Sequence, residues 1–358
     1  MSNTQSPIPR ADEVARRGQG PLWEGHDVSN LNSPHQATAL AHPNIAFIKY
    51  WGNEDEALRL PANPSLSMNL GDLHTITTVT FSDSLTSDDL IINNQQIIGP
   101  GLERVTAVLN LIRLRAGLHM AARVVSESNF PVGSGIASSA SAFAALSVAG
   151  TAAAGLDLDE AALSRLARRG SGSACRSVTS GYCQWLPGSD ESSVAVSMAP
   201  PEHWDLRDVV IIVSQEHKAV GSTGGHQLAQ TSSLQAARVA GAAARLEACR
   251  EAVLARDLAV MGPMLEEDTL LMHAVMMTSH PPLYYWQPAT LAVIHAALQW
   301  RAEGLPVYFT IDAGPNVHLI CEAAQAGLVM AKARQLPGVQ KVISSGPGGP
   351  ARLINDDL

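Results

Sequence analysis

Apolar and polar positions along the 358-residue chain change period many times, and each change predicts an element. Residues 1 to about 35 carry no periodicity and are rich in Pro, Ser and Asn, which predicts a flexible or loosely docked extension. ATALAHPNIAFIKYWG then has the β-branched and aromatic content of a strand, broken at Pro43 and ended at Gly52. SLSMNL, HTITTVTF and LIINNQQI alternate as strands, ERVTAVLNLIRLRAG is an amphipathic helix, and MAARVVSESNF returns to strand. The small-residue tract after Pro131 and LDEAALSRLARRG are helices, the latter opened by acids and closed by arginines and glycine. Past residue 205, DVVIIVSQ is a strand, two long helical tracts cover 231–257 and 258–277, and PATLAVIHAALQWRAEG is a third helix. PVYFTID, VHLIC and VQKVISS are strands, with the helix AAQAGLVMAKARQL between the last two. Both halves mix strands and helices without strict βαβ alternation, so the expected class is α+β with two domains, 36–205 and 206–358. No internal repeat is visible.

Composition narrows the partners. Hydrophobic residues make up 46% and charged residues 16% of the chain, as in a soluble globular protein. A net charge of −9 argues against nucleic-acid binding, which needs a basic face, but a few cations in one cleft can still oppose that field for a small anion. Cys175, Cys183, Cys249 and Cys321 lack metal or disulfide spacing and read as reduced thiols, pointing to the cytoplasm. No signal peptide is evident, and the most membrane-like window, 129–155, carries five serines among its alanines and reads as a buried soluble helix.

Four segments concentrate glycine and hydroxyl residues. In PVGSGIASSA, Gly133, Ser134 and Gly135 let the backbone turn tightly just before a helix whose first amides are unpaired, and Ser138 and Ser139 add hydroxyls able to bind phosphate or magnesium. Neither standard nucleotide fingerprint applies, and a serine N-cap on a close-packed helix is the competing account. RRGSGSACRS sets Arg176 among small residues, where its fork suits a carboxylate or phosphate; pairing with a nearby acid is the plainer account. GSTGGHQLAQTSS and ISSGPGG complete the set, and four such loops in an acidic chain point to one polyanion site assembled from several places.

Two charged residues stand out. Asp312 follows the apolar strand VYFTI and precedes a Gly-Pro turn, so it is either a turn former or a rigidly held general base. Lys49 sits inside an apolar run, where an ammonium needs an anion beside it, either a structural carboxylate or a bound phosphate.

NIAFIKYWGNEDEALRLPANPSLSMNL, NFPVGSGIASSASAFAAL, RRGSGSACRSVTSGYCQW and FTIDAGPN together resemble the mevalonate diphosphate decarboxylases, a branch of the galactokinase, homoserine kinase, mevalonate kinase and phosphomevalonate kinase group. The likeness runs from about residue 37 to the end; IKYWG and GSGSACRS mark the branch, and PxxxGIxSSA marks the whole group. It implies the group's two-domain fold with the site in the cleft between domains. It also implies ATP-dependent decarboxylation of a mevalonate phosphate to an isopentenyl phosphate, with magnesium and frequent homodimerisation, and with no membrane or nucleic-acid partner. By the same resemblance Asp312 is base or orienter for the 3-hydroxyl, Arg176 holds the carboxylate, and Lys49 joins them. Ser171 and Ser173 flank the substrate, Asn44 and Tyr50 line the cleft, and Ser139 with the loop from Gly133 serves ATP phosphates and magnesium.

Two positions depart from the family pattern. The diphosphate enzymes usually read KYWGK, and the second lysine helps hold the 5-diphosphate, whereas this chain has Asn53. His226, in GSTGGH after Ser222, stands where the family often has methionine and offers a donor to a phosphate or a satisfied helix-start ring. Loss of the lysine charge favours mevalonate 5-phosphate as substrate and isopentenyl phosphate as product. The alternatives are the ordinary diphosphate decarboxylase, a 3-kinase that does not decarboxylate, and a non-catalytic nucleotide-binding module.

Overall fold

The computed structural model describes residues 35–131, 138–216 and 220–354. In chain order its elements begin with β1 (Gln36–Ala41), β2 (Asn44–Ile48), β3 (Asn53–Asp55), β4 (Leu60–Pro61), β5 (Ser65–Asn69), β6 (Thr75–Ser82), β7 (Asp89–Ile92) and β8 (Gln95–Ile97). Next come α1 (Pro100–Ala116), β9 (Ala121–Ser128), α2 (Ser138–Ala153), α3 (Glu160–Gly170), α4 (Ala174–Val178), β10 (Tyr182–Trp185), β11 (Ala195–Ala199) and β12 (Leu206–Ile212). The last are α5 (Ser222–Leu228), α6 (Gln235–Ala255), α7 (Leu258–Met277), α8 (Pro288–Ala302), β13 (Tyr308–Thr310), β14 (Val317–Glu322), α9 (Ala323–Ala333), β15 (Lys341–Ser345) and β16 (Arg352–Ile354). The class is α+β, as the mixed pattern predicts.

Three larger sheets carry the fold, in strand orders β16-β1-β6-β9-β7-β8, β11-β10-β5-β2 and β13-β14-β12-β15. In the first, TITTVTFS alternates cleanly, turning Thr75, Thr77, Val79 and Phe81 inward. The small-residue helix α2 lies on that face among Ala39, Ala41, Val79 and Phe81, so it is a buried soluble helix. Ser147 and Thr151 spend their hydroxyls on the carbonyls of Phe143 and Ser147, which satisfies polar groups inside the core. No helix among the described residues is long and apolar enough to cross a membrane.

The second sheet is covered on both faces, and β2 and β5 are buried throughout. In β5 the alternation sends Leu66 and Met68 into a core shared with α6, α7 and the third sheet, while Ser65 and Ser67 face the opposite way. That shared core also takes Val210 and Ile212 of β12 and Ile320 of β14, so α6 and α7 are packed between the second and third sheets. The far face of the third sheet closes against α8 and α9 through Val209, Ile211, Val293, Ala297 and Val329.

Several short elements escape the pattern reading. The segments read as glycine-serine loops contain the one-turn helix α4 and the helix α5, and YCQW and AVSMA pair as β10 and β11. Helix α5 tolerates two glycines because Trp51 presses against one of them; a Cβ on Gly225 would lie 2.5 Å from the indole ring. The fourth glycine segment, ISSGPGG, serves the fold: Pro347 bridges Leu70, and Gly348 donates to the Asn69 carbonyl at 2.8 Å. The chain then returns to the first sheet, where β16 pairs antiparallel with β1.

Gly262 shows how tightly α7 sits on β13, since a Cβ there would lie 2.3 Å from the Tyr308 ring, which the Arg301 guanidinium covers on another side at 4.5 Å. Helix propensity favours alanine over glycine by about 1 kcal/mol, whereas overpacking costs about 1–3 kcal/mol. The ring is buried and covered by Arg301, so Gly262→Ala is expected to lower the urea unfolding midpoint rather than raise it.

Candidate active site

A cavity of about 550 Å³ opens between the second sheet, the starts of α2 and α5, and the segment that follows β13. Its lining includes Asn44, Lys49, Tyr50, Ser138, Ser139, Ser171, Ser173, Arg176, Ser222, His226 and Asp312. Three of the four glycine-hydroxyl segments meet there; ISSGPGG does not. Gly133, Ser134 and Gly135 lie outside the described residues, so the start of the first segment is seen only from Ser138 onward.

Lys49 and Asp312 come together at its floor. The Lys49 Nζ donates to Asp312 Oδ1 at 2.7 Å, with the lysine side chain buried and the carboxylate partly open to the cavity. The backbone around the lysine is fixed from α6 and α7. Buried Asp268 accepts the Lys49 amide at 2.6 Å and pairs with Arg245, and Arg238 donates to the carbonyls of Lys49 and Trp51. On the other side Thr269 accepts the Ile311 amide and donates to the Ile311 carbonyl, which holds the turn that carries Asp312. Both partners are therefore placed by one helix, α7. This answers the question Lys49 raised, since its anion is a carboxylate of the chain.

Arg176, on α4, is buried and held by neutral oxygens: Ser65 Oγ at 2.6 Å, Ser67 Oγ at 3.0 Å and Asn44 Oδ1 at 3.1 Å. The Asn44 amide donates in turn to Ser177 Oγ and the Ser173 carbonyl, which fixes its orientation. Burial lowers the guanidinium's pKa, and Asp312 is among the anions that counter this, so the two side chains act on one another electrostatically. The serines that receive the fork are the polar face of SLSMN.

At the other wall Ser139, in the first turn of α2, meets Ser171 hydroxyl to hydroxyl at 3.1 Å. That contact joins the first glycine segment to the second. Gly172 beside it faces the Tyr50 ring, where a Cβ would stand 2.6 Å from the aromatic carbons.

The third wall stacks aromatic groups. The His226 ring lies 4.2 Å from that of Tyr50 and 4.5 Å from that of Trp51, and its Nδ1 accepts the Gly52 amide at 3.0 Å. With Nδ1 an acceptor, the neutral ring carries its proton on Nε2, a donor. Burial, helped by Arg59, Arg238, Arg176 and Arg104, pushes the His226 pKa down to about 3. Asn53 is not part of the lining. It sits behind Tyr50, accepting the phenol hydroxyl and donating to Glu56 Oε2 at 2.9 Å.

Two lining residues are absent from the sequence reading. Arg59 stands in the turn after the acidic run EDEA, and Arg104 on the polar face of α1. Nothing local distinguishes either from a solvated surface arginine; only the fold turns them inward. Among the described residues they leave the cavity with four cationic side chains against one carboxylate, in a protein of net charge −9.

The buried neutral histidine has a consequence for stability. Its folded pKa lies below the unfolded value near 6.5, so between about pH 6.5 and 3 the unfolded chain binds the extra proton and stability falls as pH falls. His273, pushed down to about 3 by burial, adds to the same slope. Replacing His226 with methionine removes one of these protons and is expected to spare about 2 kcal/mol of the loss between pH 7 and 5, read from urea unfolding at both pH values.

Both halves of the chain match models of known protein domains. Residues 41–196 match the diphosphomevalonate decarboxylase-like N-terminal domain, and residues 208–345 match the mevalonate 5-diphosphate decarboxylase C-terminal domain. A diphosphomevalonate decarboxylase of Candida albicans is 36% identical over 83% of this chain and 87% of its own. A phosphomevalonate decarboxylase of Haloferax volcanii is 34% identical over 90% and 98%. A solved structure described as MDDEF in complex with MVAPP, AMPPCP and magnesium superposes with a TM-score of 0.84 at 37% identity, covering 89% of this chain and 98% of that one. With both halves matched and the fold shared, the chain belongs to the diphosphomevalonate decarboxylase family.

Proposed function

We propose that the protein decarboxylates mevalonate 5-phosphate at the expense of ATP, releasing isopentenyl phosphate, CO2, ADP and phosphate. The observation that carries the reaction class is that Asp312, Arg176 and Ser139 line one cavity. A tertiary alcohol is a poor leaving group, so its oxygen is first phosphorylated. As the C–O bond then breaks and phosphate departs, the C1–C2 bonding pair becomes the alkene and the carboxylate leaves as CO2.

Each side chain has a part that its surroundings suit. Asp312, open to the cavity and fixed by Lys49, orients the 3-hydroxyl and takes up its proton as the oxygen is phosphorylated. Arg176, its fork steadied by two serines and Asn44, holds the carboxylate in line with the breaking bond. Its buried position makes that charge effective, because little water screens it. Ser173 and Ser171 flank the same end of the substrate.

The nucleotide's phosphates suit the first turn of α2, where Ser138 and Ser139 add hydroxyls to the positive end of the helix dipole. Among the described residues no group of three or more His, Cys, Asp or Glu side chains could hold a metal ion. The donors at this wall are hydroxyls, which fits magnesium carried by the nucleotide with Ser139 as one ligand. When bound, the ion would neutralise charge on the transferred phosphoryl group.

Substrate choice follows from charge. Where the diphosphate enzymes have a lysine, Asn53 is engaged with Tyr50 and the carboxylate of Glu56, so this corner gains no ammonium and carries an anion. A second phosphate would add negative charge there. The Haloferax relative, named a phosphomevalonate decarboxylase, supports the same reading. The rival substrate is mevalonate 5-diphosphate, which the Candida relative's name favours.

Side-by-side kinetics on the two phosphates test the substrate, with a higher kcat/KM expected for the monophosphate; a clear preference for the diphosphate overturns it. Asp312→Asn is expected to bind ATP while losing about two orders of magnitude or more in turnover, and to melt below wild type because the buried Lys49 ammonium loses its anion. Release of CO2 together with ADP separates decarboxylation from a kinase that stops at the phosphorylated alcohol.

A further inference from the structure

We infer that Arg59 and Arg104 form a paired guanidinium clamp for the phosphate end of the substrate and supply there the positive charge that position 53 lacks. The inference rests on the mevalonate-phosphate reading above. Both residues line the cavity, and each is anchored through Nε to a backbone carbonyl at the end of α3: Arg59 to Arg169 at 3.1 Å and Arg104 to Gly170 at 2.9 Å. Anchoring at Nε leaves the terminal nitrogens of both forks for another partner. Among the described residues neither guanidinium has a carboxylate within ion-pair distance, although the same structure pairs Lys49, Arg113, Arg168, Arg245 and Arg301. Arg104 also lies 4.8 Å over the Phe143 ring, which packs its stem and fixes its direction.

Two unpaired guanidiniums so close together oppose each other. Burial and the charge of Arg59 push the Arg104 pKa down to about 10, and burial lowers that of Arg59 as well. A phosphate placed between the forks removes that repulsion and accepts several charge-assisted hydrogen bonds.

The position of the pair indicates which phosphate. Arg59 and Glu56 both act electrostatically on Tyr50, and Asn53 bonds both Tyr50 and Glu56, so Arg59 belongs to the corner where the family lysine would stand. Ser138 and Ser139, which suit the nucleotide, line the same cavity at the start of α2. Glu56 offsets part of the Arg59 charge, leaving the corner with a net charge near +1 from Arg59, Arg104 and Glu56 together. That balance suits a single phosphate better than two.

The test is binding to Arg59→Met and Arg104→Met by calorimetry, using mevalonate 5-phosphate, unphosphorylated mevalonate and ATP as separate ligands. The expected result is that each variant weakens mevalonate 5-phosphate by about 10- to 100-fold while mevalonate and ATP bind as to wild type. Equal losses for the phosphorylated and unphosphorylated acids, a loss confined to ATP, or no loss at all each overturns the clamp. Should Arg59→Met fail to fold, Arg59→Gln keeps a donor for the Arg169 carbonyl and removes the charge, and Arg59→Lys is expected to recover part of the affinity that Arg59→Gln loses. A wild type that prefers the diphosphate would overturn the monophosphate reading alone, because the phosphorylated-minus-unphosphorylated difference tests the arginines whichever substrate wins.

Discussion

The ion pair between Lys49 and Asp312 is the contact on which the rest of the site depends. Its partners are separated by most of the chain, and each arrives on a backbone segment held by α7. A pair of this kind is not in itself a strong source of stability, since desolvating two charges offsets much of their attraction. Its value here is positional. The ammonium is buried and cannot relax into water, so the carboxylate keeps one orientation while its remaining face stays open to the cavity. The buried Asp268 and Arg238 extend the same arrangement to the backbone, and removing either would leave the other groups buried without their partners.

The cavity inverts the electrostatics of the molecule that contains it. The chain as a whole carries a net charge of −9, whereas among the described residues of one pocket Lys49, Arg59, Arg104 and Arg176 face a single carboxylate. Neutral oxygens rather than carboxylates hold Arg176 and anchor Arg59 and Arg104, so those charges are oriented without being cancelled. Phosphoryl transfer and carboxylate departure need this kind of preset positive field, because the charge moves while the protein stays still. The histidine stacked on Tyr50 and Trp51 stays neutral in the same field and shapes the pocket without adding to its charge.

How much of this was legible in the sequence depends on the range of the interaction. Strand alternation in HTITTVTF and SLSMNL is a local property, and the structure follows it down to which serines face Arg176. The roles of Lys49 and Asp312 were each ambiguous alone; the fold removes the ambiguity by making each the other's partner. Glycine and serine are poor helix formers, so composition predicts loops at 174–178 and 222–228, and tertiary packing against Tyr50 and Trp51 overrides that preference. ISSGPGG looks like a ligand loop for the same compositional reason, yet its glycines permit close approach of two backbone segments near Gly71.

The sequence by itself determined the α+β class, the family and most of the polar groups that line the cavity, because periodicity and short motifs are written in neighbouring residues. Only the tertiary structure decided that Arg59 and Arg104 face inward, that Asn53 is spent on Tyr50 and Glu56, and that the last glycine segment belongs to a seam between sheets. Those facts depend on contacts between residues far apart in the chain, where a side chain's direction is set by the neighbours that folding brings to it.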